Sequence, residues 1–276
     1  MPDDVRIRRA TGRADYDACV LLQKAVWGLA DLEVTSAIHL IATVHAGGAL
    51  HLAESAGQPI GFVYSFPALR GGLPHLHSDM LAVLPEYQKR GIGVRLKWAQ
   101  REEALSRGIG LVTWTYDPMQ ARNANLNLRR LGATATEFLG DFYGVTTSAL
   151  HHGLPTDRLL VHWELNAPRV KERLKEGEPL QSEPAPAHPR INEVKWQAGW
   201  PVSSDPCLDL QAPELLLEVP PDWDVLAKAA PRVAEDWHGK VRLAFTHYFG
   251  RGYVAADFSQ SEEKGRRRPL YVLRRA

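Results

Sequence analysis

The sequence predicts an α/β (α+β) protein with a mixed central sheet, helices on both of its faces and a small C-terminal α/β unit. Two apolar runs around a Gly-Gln-Pro turn predict a hairpin, whereas other strand-like runs are separated by helical segments. Hairpins combined with crossover helices produce a mixed sheet. The 276 residues are 45% hydrophobic, which is enough for a sizeable core.

The elements of the first half follow from periodicity. "VRIRRA" alternates like a short strand, and "ADYDACVLLQKAVWG" has apolar residues at helical spacing before Gly28. The predicted hairpin pairs 49–55 with 59–67, and "HLHSDMLAVL" is a third, central strand. A helix at 91–107 ends at Gly108. The next elements are a strand in "GLVTWTYDP", a helix at 121–132 and a strand at 157–165.

The chain is predicted to have three parts. Residues 1–168 form the main domain, and 169–192 form a linker, because "KEGEPLQSEPAPAHPR" is rich in Pro and Glu and lacks hydrophobic periodicity. Residues 193–276 form a βαββ unit. This unit is small for an independent core, so we expect it to pack on the main domain or on a second subunit, as in a homodimer.

Composition limits the partners. Lys and Arg total 33 and Asp and Glu total 32, so no overall field attracts nucleic acid or a membrane surface. The run "EEKGRRRP" at 262–269 is interpreted as a solvated hairpin tip. No apolar stretch is long enough to cross a membrane, and Cys19 and Cys207 form no disulfide-like pattern. We therefore expect a cytoplasmic protein.

A phosphate-binding loop is predicted where the third strand passes into the helix at 91–107. The unpaired N–H groups at such a turn meet the positive end of the helix dipole. Gly91 and Gly93 remove the Cβ atoms that would hold an anion away from the backbone, and Lys89 and Arg90 add positive charge. The loop is neither a Walker motif nor a dinucleotide fingerprint.

The run Gln88-Lys89-Arg90-Gly91-Ile92-Gly93 resembles the Q/R-x-x-G-x-G/A motif of the GNAT superfamily of acyl-CoA-dependent N-acyltransferases. The flanking "LAVLPEY" and "NANLNLRRLGA" resemble that family in order and spacing, over residues 1–165. The resemblance implies a sheet in which the third strand and the strand at 110–117 are splayed to admit pantetheine. It also implies an acyl-CoA as co-substrate, for which we expect acetyl-CoA or succinyl-CoA. The implied cofactor contacts are Leu81, Ala82, Val83, Gln88, Lys89, Arg90, Gly91, Ile92, Gly93, Val94 and Asn123.

The resemblance also suggests catalytic groups. A backbone N–H near Val83 is the candidate for polarising the thioester carbonyl. In one branch of the family a glutamate base lies eleven positions before the motif, and that position is His77 here. An imidazole can accept the proton, and Asp79 can orient it or bind a substrate ammonium. Strand alternation predicts one shared face for His75, His77, Asp79, Leu81 and Val83. The alternative is that His77 only lines the pocket.

The general acid is less well indicated. The family commonly has a tyrosine four residues before the helix-ending glycine, where this chain has Leu128. Tyr116, Tyr143 or water remain as candidates for protonating the thiolate, whose ordinary pKa is about 8.5. Asn123 and Asn125 are also displaced from the family's helix-start asparagine, so a capping role is equally compatible with them.

A metal site is the competing interpretation of His75, His77 and Asp79, since imidazole and carboxylate ligands suit zinc or iron. Ligands two residues apart on a strand are about 6.5 to 7 Å apart at Cα, so the strand would have to bend to bring all three to one ion. No other metal motif occurs in the sequence. We therefore expect no metal.

The acceptor is predicted to be a small zwitterion. An aromatic wall with one carboxylate and one guanidinium suits an amino acid, and the candidate residues are Trp27, Tyr116, Asp117 and Arg122. Alternatively, Asp117 caps a turn and Trp27 belongs to the core. The predicted activity is an N-acyltransferase that moves an acetyl or succinyl group to the amine of an amino acid. The rivals are a non-catalytic acyl-CoA-binding regulatory module and a protein N-acetyltransferase.

Overall fold

The computed structural model describes residues 4–144, 153–176 and 187–275. The chain divides into two compact units, one formed by Met1–Trp114 with Glu164–Ala167 and the other by Thr115–Trp163 with Pro168–Ala276. This division differs from the expected boundary at 168, because strands from both sides of that position pair with one another in the second unit.

The first unit contains the predicted mixed sheet. Its strands lie in the order β1-β2-β3-β4-β5, antiparallel except for the parallel pair of β4 and β5. The elements are β1 Val5–Arg9, α1 Arg13–Trp27, α2 Ala37–His45, β2 Ala49–Ser55, β3 Gln58–Arg70, β4 Leu73–Val83, a 3₁₀ turn Pro85–Tyr87, α3 Ile92–Ser106 and β5 Leu111–Tyr116. The last two residues of β5 belong to the second unit.

Helices cover both faces of this sheet, as predicted. On one face, α1 and α2 contribute Leu22 and Leu40 to a buried cluster with Phe62 and Tyr64 of β3. On the other face, Ile92 and Leu96 of α3 pack with Val63 and other residues of β1 to β4. Burial of both faces at about 25 cal/mol per Å² of apolar area is the main stabilising contribution here.

The helix α2 was not predicted. Its N-cap is Ser36, whose Oγ accepts a hydrogen bond from His39 N (3.3 Å). The helix is apolar on its exposed side as well, where Ile38 and Ile41 lie, so its sequence lacks the polar face that makes an amphipathic helix recognisable.

The splay of β4 and β5 is confirmed. The two strands pair only at Leu76↔Val112 and His77↔Thr113 among the described residues, although β4 continues as far as Val83. Beyond His77, β4 therefore keeps β3 as its ladder partner in this unit. We call the point where the parallel pairing ends, at His77 and Thr113, the fork.

The second unit contains a sheet in the order β7-β6-β11-β12-β10 and a separate hairpin of β8 and β9. Its elements are α4 Ala121–Ala124, which continues as a π-helical segment Asn125–Arg130, β6 Thr134–Leu139, β7 Arg158–Glu164, α5 Pro168–Glu176, β8 Val194–Gln197, β9 Trp200–Ser203, β10 Glu214–Glu218, α6 Trp223–Ala229, α7 Pro231–Gly250, β11 Tyr253–Glu263 and β12 Arg266–Arg275. The predicted βαββ order of the C-terminal part is present in β10 to β12. Strand β6 and the hairpin of β8 and β9 were not predicted.

The linker prediction was wrong at its start. Residues 168–176 form α5, and residues 177–186 lie outside the described part of the chain. Arg169 of α5 donates hydrogen bonds to Leu128 O (2.9 Å) and to Ala256 O. It also pairs with Asp257 at 2.9 Å. The contacts of Arg169 thus fix α5 to the π-helical segment and to β11. The Pro-rich composition of the predicted linker did not indicate a helix packed in this way.

The C-terminal strands join the sheet through β6. Ala255 of β11 pairs with Ala135 of β6 in antiparallel orientation. The tip of β11 and β12 is a turn at Lys264 and Gly265, and the arginines that follow it are engaged. Arg267 bonds Asp222, Arg268 bonds Glu218, and Arg266 stacks on Trp196 at 4.4 Å.

No helix within the described residues combines the length and the apolar character that crossing a membrane requires.

Gly132 is expected to be intolerant of substitution. It has φ +70°, and an added Cβ would lie 3.2 Å from Arg173 Cγ and 3.3 Å from Arg169 O. Gly132→Ala should lower the free energy of unfolding by about 3 kcal/mol, which combines left-handed strain with overpacking. The matched control is Gly252→Ala, at φ +81° with open space, which should cost about 1 kcal/mol. Equal losses in chemical denaturation would contradict this account.

Candidate active site

Among the described residues, the fork leaves backbone groups of β4 without a ladder partner on the β5 side. Leu84 N donates to Ile60 O (2.9 Å), and residues of an antiparallel ladder alternate in the direction of their backbone groups. Ala82 therefore bonds β3, whereas Leu81 and Val83 direct their N–H and C=O groups toward the β5 side. The expected cofactor contact of Ala82 is corrected accordingly, because its backbone is committed to β3 and its side chain is in the core.

A β-bulge interrupts β4 just beyond the fork. Tyr64 of β3 pairs with Met80, but the next residue, Ser65, pairs with Ser78, so Asp79 is the extra residue. Met80 and Ala82 pack on the α1 and α2 face. His77 lies opposite Phe66 on that same face.

The prediction that His77, Leu81 and Val83 share a face was therefore wrong. Leu81 and Val83 pack on the α3 face, in the cluster with Ile92 and Leu96. The physical reason is that one inserted residue reverses the alternation of every side chain beyond it. His77 is still on the strand that leads into the glycine-containing loop. Its side chain, however, lies on the opposite face of the sheet from those of Leu81 and Val83.

The glycine-containing loop has the geometry of an anion cradle. Gly91 has φ +77° and caps α3 without any side-chain cap among the described residues, so the first N–H groups of the helix point outward. An added Cβ at Gly91 would meet nothing within 4 Å, so the space above it is open. The helix ladder begins with Arg95 N donating to Gly91 O (3.1 Å).

Side chains of the loop hold it against β4. Gln88 Nε2 donates to Val83 O (2.9 Å), which fixes the distance between the strand end and the helix start. Lys89 is exposed and adopts φ 64°, an uncommon conformation for a residue with a side chain. Arg90 donates to Glu86 O (3.0 Å) and stacks on Tyr87 at 5.2 Å. Both cations therefore lie beside the cradle on the solvent side.

His77 is fixed at the fork. Its Nδ1 lies 2.9 Å from Thr113 Oγ1, and its ring contacts that of Phe66 in a tilted arrangement, with 5.2 Å between the ring centroids. Burial, followed by the charges of His75 and Lys97, lowers the pKa of His77 to about 4. The imidazole is therefore neutral at pH 7, so it can accept a proton, although it is a weaker base than an ordinary histidine.

Asp79 lies at the bulge and is exposed to solvent. Desolvation by the surrounding protein raises the pKa of Asp79, and the charge of His39 on α2 opposes that rise. Because the side chain is exposed, we take the carboxylate as ionised at neutral pH. Asp79 thus places a negative charge on β4 two residues after His77, where a cation can approach it from solvent.

The aromatic residues near His77 form one wall. Trp27 packs edge-to-face on Phe62 at 6.2 Å, and Tyr64 and Phe66 lie on the same face of β3. Tyr64 OH donates to Thr43 Oγ1 of α2 (2.6 Å). Tyr64 and Phe66 were missed from the sequence, although their alternation in "FVYSF" was a usable signal. Trp27 is only half-buried, so it belongs both to the core edge and to this wall.

The other predicted site residues lie in the second unit. Asp117 Oδ1 accepts a hydrogen bond from Met119 N (2.8 Å), so it caps a turn, and burial raises its pKa to about 6. Tyr116 is buried, and burial raises its pKa as well. Arg122 and Asn123 are exposed.

Tyr143 is 52% exposed. Its hydroxyl lies 3.4 Å from Thr115 Oγ1, and Arg158 stacks on its ring at 5.1 Å. Leu128, at the family's tyrosine position, is fully buried.

No group of three His, Cys, Asp or Glu side chains in the described ranges is arranged to hold a metal ion. His75 illustrates the reason, because its Nδ1 donates to Leu73 O (3.1 Å) and the ring is buried. Asp79, at the bulge, departs from the alternation that aligned the three residues in the sequence.

Comparison with known families matches residues 21–133 to the acetyltransferase (GNAT) family. The matched segment includes the bulged strand, the fork and the whole glycine-containing loop. Residues 21–133 form a GNAT acetyltransferase domain. Acetyl-CoA-dependent acyl transfer is thereby supported for this domain. Curated proteins gave no match.

Solved structures resemble the region around the GNAT domain at low identity. A Salmonella typhimurium protein with its cofactor acetyl-CoA is 20% identical, over 59% of this chain and 95% of that one, with a TM-score of 0.49. The ribosomal-protein-alanine N-acetyltransferase of Brucella melitensis is 22% identical, over 57% and 98%, with a TM-score of 0.46. An aminoglycoside acetyltransferase from an uncultured soil metagenomic sample is 18% identical, over 44% and 82%, with a TM-score of 0.40. Similarity of this degree leaves the acceptor open.

Gly91→Ala should weaken CoA binding at least tenfold in calorimetric titration, because the methyl group enters the cradle of the GNAT domain. The matched control is Gly108→Ala at the other end of α3, where φ is +75° and the surroundings are equally open. Both variants should lose about 1 kcal/mol of stability from left-handed strain. Equal CoA affinity in the two variants would refute the assignment of the cradle.

Proposed function

We propose that this protein is an N-acyltransferase that moves an acetyl or succinyl group from CoA to the amine of a small molecule, with amino acids as the favoured acceptor class. The observation that carries the proposal is the fork. It combines unpaired backbone groups on β4, an open helix N-terminus directly beyond them and ionisable side chains directly before them.

The cofactor contacts follow from the direction of the backbone groups. Leu81 offers its N–H and C=O groups to the amides of a pantetheine arm, as a strand would. Val83 offers only its N–H, because its C=O accepts a hydrogen bond from Gln88. The amides of residues 89–94 bind the pyrophosphate, and Lys89 and Arg90 add charge from the solvent side. Gln88 acts indirectly, because it already bonds Val83 O. Asn123 is exposed in the second unit and stays an expected contact only.

Polarisation of the thioester carbonyl is assigned to the N–H of Val83. That N–H faces the gap beyond the fork, whereas the carbonyl of Val83 is already bonded to Gln88. A fixed backbone donor stabilises the oxyanion that forms when the amine attacks the carbonyl carbon. The C–S bond then breaks, and the thiolate leaves and takes up a proton.

Proton transfer is assigned to the fork side of the site. His77 accepts a proton from the attacking amine, directly or through water, and Asp79 holds the incoming ammonium. The ammonium first loses one proton to solvent water and attacks as the neutral amine. The lowered pKa of His77 favours its taking the second proton, from the zwitterionic tetrahedral intermediate, which is a far stronger acid than the free ammonium.

The thiolate is protonated by water in our proposal. Tyr116 is a poor donor because burial raises its pKa, and Leu128 has no proton to give. Tyr143 is exposed and keeps the alternative of a side-chain acid open to test.

The aromatic wall of Trp27, Tyr64 and Phe66 together with Asp79 supports a small amine acceptor. Asp117 is occupied as a turn cap, so its proposed contact with the ammonium passes to Asp79. Arg122, in the second unit, stays the candidate predicted from the sequence for a substrate carboxylate, because a guanidinium can pair with one.

A protein N-acetyltransferase is the second candidate. Leu69 and Leu73, at the tip of the hairpin of β3 and β4, are exposed apolar residues that a peptide could contact. The deciding experiment follows free thiol release from acetyl-CoA or succinyl-CoA in parallel panels of amino acids and peptides. Turnover with peptides only would favour this candidate. Tight CoA binding without turnover in either panel would instead indicate a regulatory module.

We place the activity in the cytoplasm, because Cys19 and Cys207 are both free thiols in the structure. The homodimer stays a prediction, which the distribution of sedimentation coefficients in analytical ultracentrifugation can test.

His77→Ala should lower kcat/KM for the amine by about 100-fold at pH 7 and leave CoA affinity unchanged, because a general base is lost. Thr113→Val keeps the imidazole but removes the partner of its Nδ1. This variant should lower kcat/KM for the amine by less than about tenfold. An unchanged rate and an unchanged pH profile in His77→Ala would rule out His77 as the base.

The pH profile has a defined sign. The folded-state pKa of His77 is about 4, below its ordinary value, so the base form is populated above that pH. The limb of kcat/KM due to His77 should therefore fall as the pH drops through about 4, and it should be absent from His77→Ala. A histidine limb near pH 6.5 in the wild-type protein would contradict this environment.

Asp79→Asn should raise the KM for the amine about tenfold without changing CoA affinity, because the carboxylate that meets the ammonium becomes neutral. Asp17→Asn is the control, since Asp17 is an exposed carboxylate paired with Arg13. If both variants have the wild-type KM, Asp79 does not bind the acceptor.

A further inference from the structure

A buried lysine lies at the fork. Lys97 of α3 is 2% exposed, and its Nζ donates hydrogen bonds to Ser78 Oγ (3.0 Å) and Gln100 Oε1 (2.6 Å). The same Nζ lies 3.7 Å from the centroid of the Trp114 ring. Gln100 Nε2 also donates to Ser78 Oγ (3.1 Å), so each of the three polar groups is hydrogen-bonded to the other two.

The two strand residues that Lys97 touches have a defined position. His77 and Thr113 are the last parallel pair of β4 and β5. Ser78 is the next residue on β4, and Trp114 is the next residue on β5. Lys97 therefore contacts the first residue beyond the last pair on each of the diverging strands.

The opposite face of the sheet has its own fixing contact. There His77 Nδ1 lies 2.9 Å from Thr113 Oγ1, within the last pair itself. The fork is thus held on one face by the bond between His77 and Thr113 and on the other face by Lys97. Ser78 also precedes Asp79, the extra residue of the bulge, so a fixed Ser78 fixes where the bulge begins.

We propose that Lys97 is a positioning residue of the site, which fixes the separation of β4 and β5 at the fork and thereby the shape of the cleft for the acyl-CoA arm. This inference rests on the proposed function for the identity of the ligand. A methionine or leucine would fill the same volume of core without the cost of burying an amine. The amine supplies what those residues lack, namely directed bonds to Ser78 and Gln100 and an attraction to the face of Trp114.

Electrostatics provides a second readout. The titratable groups that act on His77 are His75 on its own strand and Lys97 on α3, and both lower its pKa, after burial. Its neighbours Phe66 on β3 and Thr113 on β5 are uncharged. Burial lowers the pKa of Lys97 itself well below its ordinary value. Where Lys97 is protonated, its charge opposes protonation of His77, so removing the amine should raise the pKa of His77 toward its ordinary value.

The test compares two substitutions in the full chain. Lys97→Met removes the donors and the charge, and it should weaken CoA binding about tenfold in calorimetry. It should also raise the pKa of His77 by about half a unit in a histidine NMR titration. Lys97→Gln removes the charge but keeps a donor for Ser78. It should recover CoA affinity to within about threefold of wild type while the pKa of His77 stays raised.

Arg101→Met is the matched control. Arg101 is a buried cation on the same helix, but it donates to Leu165 O (2.9 and 2.8 Å) and touches neither Ser78 nor Trp114 among the described contacts. It should lower the melting temperature without changing CoA affinity or the pKa of His77. A purely structural role for Lys97 would make Arg101→Met and Lys97→Met alike.

If Lys97→Met does not fold, Ser78→Ala replaces it. That variant removes the β4 anchor and keeps the charge, so it should weaken CoA binding without moving the pKa of His77. Wild-type CoA affinity in Lys97→Met, or in Ser78→Ala where that variant replaces it, would overturn the proposal. Equal effects in Arg101→Met would overturn it as well. Both readouts work without an acceptor, so a failure of the proposed acyl transfer is distinguishable from a failure of this inference.

Discussion

The parting of β4 and β5 is the constraint on which the candidate site depends. Backbone N–H and C=O groups removed from water need partners, and a central strand normally finds them on both sides. Here β4 loses its β5 partner after His77 while the chain continues extended to Val83. The open side is tolerable because solvent, or an extended ligand with amide groups, can satisfy it. The bulge, the glycine-containing loop and the contacts of Lys97 all lie within a few residues of that parting.

The loop was predictable from the sequence because its physics is local. Gly91 has φ +77° and precedes a helix that has no side-chain cap, and both features depend on neighbouring residues only. The spacing of Gly91 and Gly93 in the sequence therefore indicates the loop directly. The orientation of His77 relative to Leu81 was not predictable in the same way. The bulge at Asp79 is a matter of register between β3 and β4, and nothing in "HLHSDMLAVL" distinguishes a bulged strand from a regular one.

Other omissions have the same origin. The helix α2 lacks a polar face, so periodicity does not reveal it, and the strand β6 is short and contains Glu137. Lys97 was not singled out in the sequence, because its partners Ser78 and Trp114 are distant from it along the chain. The start of the expected linker is helical because Arg169 finds Leu128 and Asp257, which are distant in sequence. In each case, long-range partners decide what composition and spacing leave undetermined.

The pairing of β11 with β6 has a consequence for self-association. An edge strand with unpaired backbone groups is a template for a second chain. In the second unit the hairpin of β6 and β7 is followed in the sheet by the hairpin of β11 and β12, so the chain supplies its own neighbour for β6. The order β10, α6 with α7, β11, β12 also repeats the order β5, α4, β6, β7. The chain itself thus supplies a ladder partner for β6 through Ala255, so this side of β6 is not left as a free edge.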